Sequence, residues 1–240
     1  MSWRTTALYL FFSSLFIGST QAQIYSYGIK AGANYSKVSA LSTIVLSEPY
    51  FLNYSIKETG RYGWHFGIFY EYKTDNERLG FQSEIMFSNQ GGNVEFNNYE
   101  KDFNYKMEFA YQYINIVSVA KWFPGSGKVS LGAGPFLGIN VATRNIKYKS
   151  WGAGKEPAFG TDLEQEQQLR NVLRGKNNFG LALDAAWDLT NAIKIGGRWY
   201  WSATNTVETQ ANSYNFIPAK NTNTVFEFSV AVSMQSLFDN

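Results

Sequence analysis

The sequence predicts an all-β fold, an eight-stranded antiparallel up-and-down transmembrane β-barrel, on three observations. Apolar and polar residues alternate with a period of two at many places, the mark of strands whose faces meet different surroundings. Connections between these stretches alternate between short turns and long polar segments, as in barrels with one periplasmic and one extracellular end. The polar face is heavy in glycine, where the outer face of a soluble barrel would carry Lys, Glu and Thr.

The chain opens with Arg4, an apolar run from Ala7 to Ile17, and small residues at Thr20 and Ala22. This is the pattern of a secretory signal peptide over residues 1–22, cleaved after Ala22. The alternative, an N-terminal membrane anchor, needs a longer apolar core of about 18 residues. Residues 23–240 are then expected to be one outer-membrane β-barrel domain. They contain no cysteine, so an exported fold must hold without disulfides and without lipid on an N-terminal Cys. No apolar run long enough for a transmembrane helix follows the signal, so any membrane crossing is made by strands. Aromatic residues are 18% of the chain, charged residues 17%, and the formal net charge is +2. That balance excludes a nucleic-acid footprint and an acidic tail.

The strands follow in order. In the first, Tyr25, Tyr27, Ile29, Ala31 and Tyr35 oppose Ser26, Gly28, Lys30, Gly32 and Asn34. In the second, Trp64, Phe66, Ile68, Tyr70 and Tyr72 oppose His65, Gly67, Phe69, Glu71 and Lys73. In the third, Leu79, Phe81, Ile85 and Phe87 oppose Gln82, Glu84, Ser88 and Gln90. The fourth runs from about Lys106 to Phe123, and its parity changes near Gln112 to Ile114, which suggests a bulge. The fifth sets Val129, Leu131, Ala133, Leu137, Ile139 and Val141 against Ser130, Gly132, Gly134, Gly138, Asn140 and Arg144. The sixth sets Phe179, Leu181, Leu183, Ala185, Trp187 and Leu189 against Gly180, Ala182, Asp184, Ala186 and Asp188. The seventh sets Ile193, Ile195, Trp199 and Trp201 against Lys194, Gly196, Arg198, Tyr200 and Ser202. In the eighth, Phe226, Phe228, Val230, Val232 and Met234 oppose Glu227, Ser229, Ala231 and Ser233.

Short TDNE, PGSG and TN turns join strands two to three, four to five and six to seven. Long connections are expected at roughly Lys37 to Tyr62, Asn89 to Tyr105, Asn145 to Lys176 and Asn205 to Asn223, and such loops are unusual in a compact soluble domain. The apolar face therefore meets lipid. Trp64, Tyr70, Tyr72, Trp122, Trp187, Trp199 and Trp201 lie on or near it toward strand ends, as an aromatic girdle does.

The polar face becomes a narrow lumen, which in a barrel of this size is just wide enough for side chains. Charges buried there must be paired. A structural network is expected of Lys30, Glu71, Glu84, Asp184, Lys194, Arg198 and Glu227, with Lys73, Lys121 and Arg144 on the same face. Its centre is placed at Glu84, Lys30, Arg198, Glu227 and Asp184. The competing reading is a proton or ion path, although usually only barrels of about 16 strands or more leave an aqueous channel.

The stretches YGIKAGANYS, FGIFYEY, LGFQSEIMFSNQGG, YINIVSVAKWF, GAGPFLGIN and NNFGLALDAAWDL resemble the outer-membrane β-barrel family of Bacteroidetes, which includes PorT-like proteins. The likeness covers nearly the whole mature chain in short strand motifs. Asn178 stands where members often carry Asp, and Asn115 with Val117 where many have Glu and Pro. The resemblance implies an eight-stranded barrel in the bacterial outer membrane and, for its PorT-like branch, an accessory part in protein secretion.

No catalytic, cofactor or metal site is expected. The only histidine is His65, a lumen packing residue in this reading, since catalysis needs several convergent groups and zinc needs more ligands. Within TDLEQEQQLRNVLRG a short helix is expected, N-capped by Asp162, with Leu169, Val172 and Leu173 on one side; it either caps the loop or docks a partner. The segment NYEKDFNYKMEF, from Asn98, is read as a strand extending above the membrane. The chain is expected to be a non-enzymatic barrel with a plugged polar lumen, in a structural or surface-interaction role. Its surroundings are outer-membrane lipid, its extracellular loops are open to protein partners, and no nucleic acid is involved.

Overall fold

The structure is a computed structural model and describes residues 24–45, 54–74, 78–125, 127–154, 160–210, 216 and 218–235. The expected signal peptide, residues 1–22, lies outside these, as does most of the TDNE turn. The elements are β1 (Ile24–Val38), α1 (Leu41–Val45), β2 (Ser55–Lys73), β3 (Leu79–Asn98), β4 (Phe103–Trp122), β5 (Val129–Asn140), β6 (Ile146–Trp151), α2 (Asp162–Val172), β7 (Leu173–Gly175), β8 (Asn178–Asp188), β9 (Ile193–Ser202), β10 (Val207–Thr209) and β11 (Asn223–Ser233).

Eight strands close a ring in the order β1, β2, β3, β4, β5, β8, β9, β11 and back to β1, every pair antiparallel. Closure leaves no lipid-facing edge, so backbone polar groups are satisfied where no water can reach them. The outer surface matches: Ile29, Phe66, Ile68, Ile85, Phe179 and Phe228 are all more than half exposed. The three short turns and residues Ile24 and Ser233 share one end, the periplasmic one.

Strand lengths divide the wall. β5, β8, β9 and β11 have 12, 11, 10 and 11 residues, close to the roughly 9–11 that a tilted strand needs to cross the bilayer. β1, β2, β3 and β4 have 15, 19, 20 and 20, so one side of the barrel rises above the membrane. There β6 replaces β5 as the neighbour of β4: β5 pairs with Tyr113 to Trp122, and β6 with Asn104 to Phe109. The segment Asn89 to Tyr105, expected as a long loop, is mostly strand. Its turn is short, with Asn98 Oδ1 accepting from the N–H groups of Glu100 and Lys101 at 3.1 Å each.

The bulge expected near Gln112 to Ile114 is not there. β3 and β4 keep one register from Leu79↔Trp122 to Asn98↔Phe103, and odd-numbered residues of β4 point inward throughout. What changes is the chemistry of that face. Within the membrane it carries Asn115 and Lys121; above it, Phe103, Tyr105, Met107, Phe109, Tyr111 and Tyr113 join a packed apolar core. Outside the bilayer the surrounding solvent is water, so the apolar face turns inward and the parity inverts without an extra residue. The register shift of the sheet lies instead on β2 against β3, between Gly60 and His65. Arg144, expected on the lumen face, is exposed in the turn after β5.

That upper core forms a cap. Leu41, Ile44 and Val45 of α1, Ile146 of β6, Leu169 of α2, Leu173 and Val207 pack against the raised ends of β3 and β4. The N-cap of α2 is Thr161 rather than Asp162, which forms the first helical residue. Thr161 Oγ1 accepts from the Glu164 N–H at 3.3 Å, while the Thr161 N–H donates to Glu164 Oε2 at 2.8 Å. The Thr161 backbone bond, with its hydroxyl adding to it, holds the Glu164 carboxyl below its usual range. Leu169 and Leu173 are buried and Val172 partly so, as expected of that side.

The division between lipid-facing and water-facing surface is testable. Phe228→Arg, at the middle of β11, should cost about 2–4 kcal/mol in reversible refolding into lipid vesicles. Tyr99→Arg, at the exposed β3–β4 turn, should stay within about 0.5 kcal/mol; equal costs would mean that Phe228 does not face hydrocarbon.

Candidate functional site

The lumen is built from one inward side chain in every two residues of each strand. β1 brings Lys30, β2 His65 and Glu71, β3 Glu84, β4 Lys121, β8 Asp184, β9 Lys194 and Arg198, and β11 Glu227. All but Lys194 expose less than a tenth of their surface. β5 contributes no charge, and beside the ion pairs its inward residues Ser130, Gly132 and Gly134 are small, while Phe136 above them packs on Tyr200; a Cβ at Gly132 would lie 3.3 Å from Lys121 Cγ and 3.4 Å from Asp184 Cβ. Its glycine is the room that the neighbouring pair occupies. Opposite Pro135, which has no N–H to give, the β4–β5 ladder is interrupted.

Arg198 is the centre. Its Nη1 and Nη2 both bind Glu84, the latter at 2.9 Å from Oε1, and its Nε donates to Asp184 Oδ1 at 2.9 Å. Glu84 also accepts from Lys30 Nζ at 3.0 Å and from Gln82, and Arg198 Nη1 reaches the Tyr200 hydroxyl at 3.2 Å. Below lies a second group. Glu71 accepts from Lys121 at 2.8 Å and from Lys194 at 2.7 Å, Lys121 lies 3.5 Å from Asp184 Oδ2, and Lys194 lies 3.3 Å from Asp188. Lys121 thus links the two groups. It stands outside the expected network but on the face expected for it, in the inward odd-numbered row of β4 with Asn115, Val117 and Val119.

Glu227 lies directly opposite Arg198 on β9, but its closest basic neighbour among the described residues is His65. Ser88 Oγ donates to its Oε1 at 3.5 Å, and His65 Nδ1 lies 3.8 Å from that oxygen. His65 Nε2 is 2.9 Å from Ser229 Oγ. Ser229, His65 and Glu227 so fall in the order of a nucleophile, base and acid. The last link is longer than a hydrogen bond, the three residues are 2%, 1% and 4% exposed, and the void beside Ser229 holds about 10 Å³, room for one water. The arrangement has no place for a reacting substrate atom. Among the described residues no group of three acidic or histidine side chains could hold a metal ion.

Above this layer the polar side chains are uncharged. Asn34 donates to Ser88 at 3.0 Å, and Asn223 to Gln90 at 2.8 Å; Asn115 and Asn178 are buried here as well. The apolar cap closes over them. Below the charges, the periplasmic mouth is a recess of about 500 Å³ walled in part by Lys73, Lys128, Asp188 and Lys194.

The aromatic residues on the outside fall into two belts. Tyr70, Tyr72, Trp122 and Trp187 lie toward the periplasmic turns; Trp64, Trp199 and Trp201 lie toward the cap. All except Tyr72, which is half-buried, are exposed.

The family described as "Outer membrane protein beta-barrel domain" matches residues 21–208. No match is found among curated proteins. Among solved structures the chain is similar to Neisserial surface protein A (NspA), at 12% identity over 88% of this chain and 99% of that one, with a TM-score of 0.40. It is similar to Ail, the attachment invasion locus protein of Yersinia pestis, solved with the heparin analogue sucrose octasulfate, at 12% identity over 88% and 99%, TM-score 0.39. The translocator domain of the autotransporter NalP from Neisseria meningitidis is matched at 7% identity over 95% and 94%, TM-score 0.30.

The network makes a graded prediction. Glu84→Ala leaves Arg198 and Lys30 buried without their shared carboxylate and should cost about 3–5 kcal/mol in denaturant midpoints of the refolded barrel. Lys73→Ala removes a partly exposed pair with Asp188, 3.6 Å apart, and should cost less than about 1 kcal/mol. Similar costs at both sites would show that the centre is not a coupled, water-excluded cluster.

Proposed function

This chain belongs to the outer membrane protein beta-barrel domain family, and we propose that it is a non-conducting barrel of the bacterial outer membrane that acts through its extracellular cap. The observation that carries this reading is the packed apolar roof over a lumen already filled by ion pairs. A solute would have to unpack the first and break the second. A barrel that spends its interior on structure presents its outer end to partners, here proteins met at the cell surface. Lipid is its surrounding medium. No catalytic role, cofactor or nucleic acid belongs to the proposal, and the Ser229–His65–Glu227 cluster is taken as lumen packing.

The finer, PorT-like reading is an accessory place in a protein-secretion apparatus. The periplasmic recess favours it, because a polar hollow of about 500 Å³ flanked by Lys73, Asp188 and Lys194 faces the side from which secretion components would approach.

Two measurements test these readings. The purified barrel in planar bilayers should give no steady open state; large sustained conductance would overturn the plugged lumen. A deletion strain should lose surface adhesion or envelope integrity with secreted proteins unchanged, whereas retention of secreted proteins in the cell would favour the secretion role over the surface one.

A further inference from the structure

β6 is the edge strand of the raised sheet, paired on one side with β4. Its other side is covered in an unusual way. The Tyr148 N–H donates to Glu166 Oε2 at 3.2 Å, the Ser150 N–H donates to Asp162 Oδ2 at 3.2 Å, and the Ile146 carbonyl accepts from Arg170 Nε at 2.9 Å. Ser150 Oγ adds a bond to Asp162 Oδ1 at 2.5 Å, and Arg170 is braced by Glu166. Three outward backbone groups, at alternate residues of a strand, are thus met by three side chains at every fourth residue of α2. The helix stands where a further strand would add beyond β6. Apart from Leu169 and the half-buried Val172 its own surface is largely outside the core, and Leu163 is 64% exposed.

We infer that the outer edge of β6 is a strand-acceptor site for an extended acidic segment of a protein partner, and that α2 is its displaceable cover. Unpaired strand edges recruit further strands, and strand addition is a general mode of peptide recognition. The charge of the occupant follows from the neighbouring rows. Across the outer face, Lys57 opposes Glu95, Glu95 opposes Lys106, and Lys106 opposes Lys149; in the next row Glu108 opposes Lys147. Both rows end on an exposed lysine at the β6 edge, so the next strand outward is matched by carboxylates at alternate positions. A second copy of β6 paired antiparallel would set these lysines against one another, which disfavours self-association. α2 carries the same preference, meeting the edge with Asp162 and Glu166.

The inference deepens the surface-contact reading and rests on it, but the two fail separately: conductance tests the plug, while amide exchange at β6 tests the cover. In the barrel refolded in detergent micelles, Asp162→Ala/Glu166→Ala/Arg170→Ala should speed exchange of the Tyr148 and Ser150 amides by about tenfold or more, with barrel circular dichroism unchanged. The probe is a labelled synthetic peptide of alternating Glu with Thr and Val. It should bind the triple variant at least about tenfold more tightly than the unsubstituted chain. Binding should vanish with Lys147→Glu/Lys149→Glu added, and for a peptide with Lys in place of Glu. Because the chain has no cysteine, Ser150→Cys/Asp162→Cys offers a lock: its oxidised form should refuse the peptide and its reduced form accept it. Unchanged exchange in the triple variant, or fast exchange with no peptide binding, overturns the proposal. Should the triple variant not refold, equal peptide binding by the oxidised and reduced cysteine forms overturns it instead.

Discussion

Everything in the membrane part of this barrel is arranged around one guanidinium. Arg198 on β9 holds Glu84 of β3 across the lumen and Asp184 of β8 beside it, so the ring is tied through its middle as well as around its wall. A buried ion left single is costly, whereas a compensated one is tolerated. The position of each remaining charge follows from that. Glu84 is shared by Lys30, Asp184 is approached by Lys121, and Lys121 hands the chain of opposite signs on to Glu71 and Lys194. Four cations, Lys30, Lys121, Lys194 and Arg198, stand within a few ångströms of three carboxylates and, through Lys194, of Asp188 at the wet end. Ser130, Gly132 and Gly134 of β5 are the spatial counterpart of this crowding, since long side chains from opposite walls need a stretch of wall that contributes none.

Glu227 shows what the pattern of residues could and could not reveal. Its inward position was readable from alternation alone, because on β11 the neighbours Phe226 and Phe228 must face lipid. Its partner was not readable. Alternation fixes the face of a residue but not which neighbour its side chain meets: Glu227 lies directly opposite Arg198 on β9, yet the guanidinium turns to Glu84 and Asp184, while Ser88 and His65 lie against the Glu227 carboxylate. Lys121 is the same lesson in reverse: on the right face, yet placed between Glu71 and Asp184 by a register that only the closed sheet defines.

The fold was most legible where the bilayer imposes a single polarity along a strand, as on β8, β9 and β11. It was least legible where β1 to β4 leave the membrane. At Tyr111 and Tyr113 the inward face becomes apolar because the outward face now meets water, and the resulting inversion looks like an inserted residue. The raised ends of β2 and β3 are predicted as loops for the same reason, since their outward side chains, such as Lys57 and Glu95, are those of a soluble sheet. The start of α2 offers two caps in the chain itself, Thr161 with Glu164 three residues on and Asp162 with Gln165; the structure closes the reciprocal pair at Thr161, the hydroxyl residue that the capping box favours.

The cover on β6 depends on a near coincidence of two periods. Four residues of helix rise about 6.0 Å, and two residues of strand about 6.6 Å. Side chains at Asp162, Glu166 and Arg170 can therefore keep step with the backbone at Ser150, Tyr148 and Ile146, falling behind by about 0.6 Å at each step. Over the two steps of this contact the lag reaches about 1.2 Å, which flexible Glu and Arg side chains absorb. A longer edge would outrun the helix and leave amides bare. The brevity of β6, six residues, is thus the condition under which a helix can stand in for a strand, and the same brevity keeps the number of bonds an incoming strand must replace small.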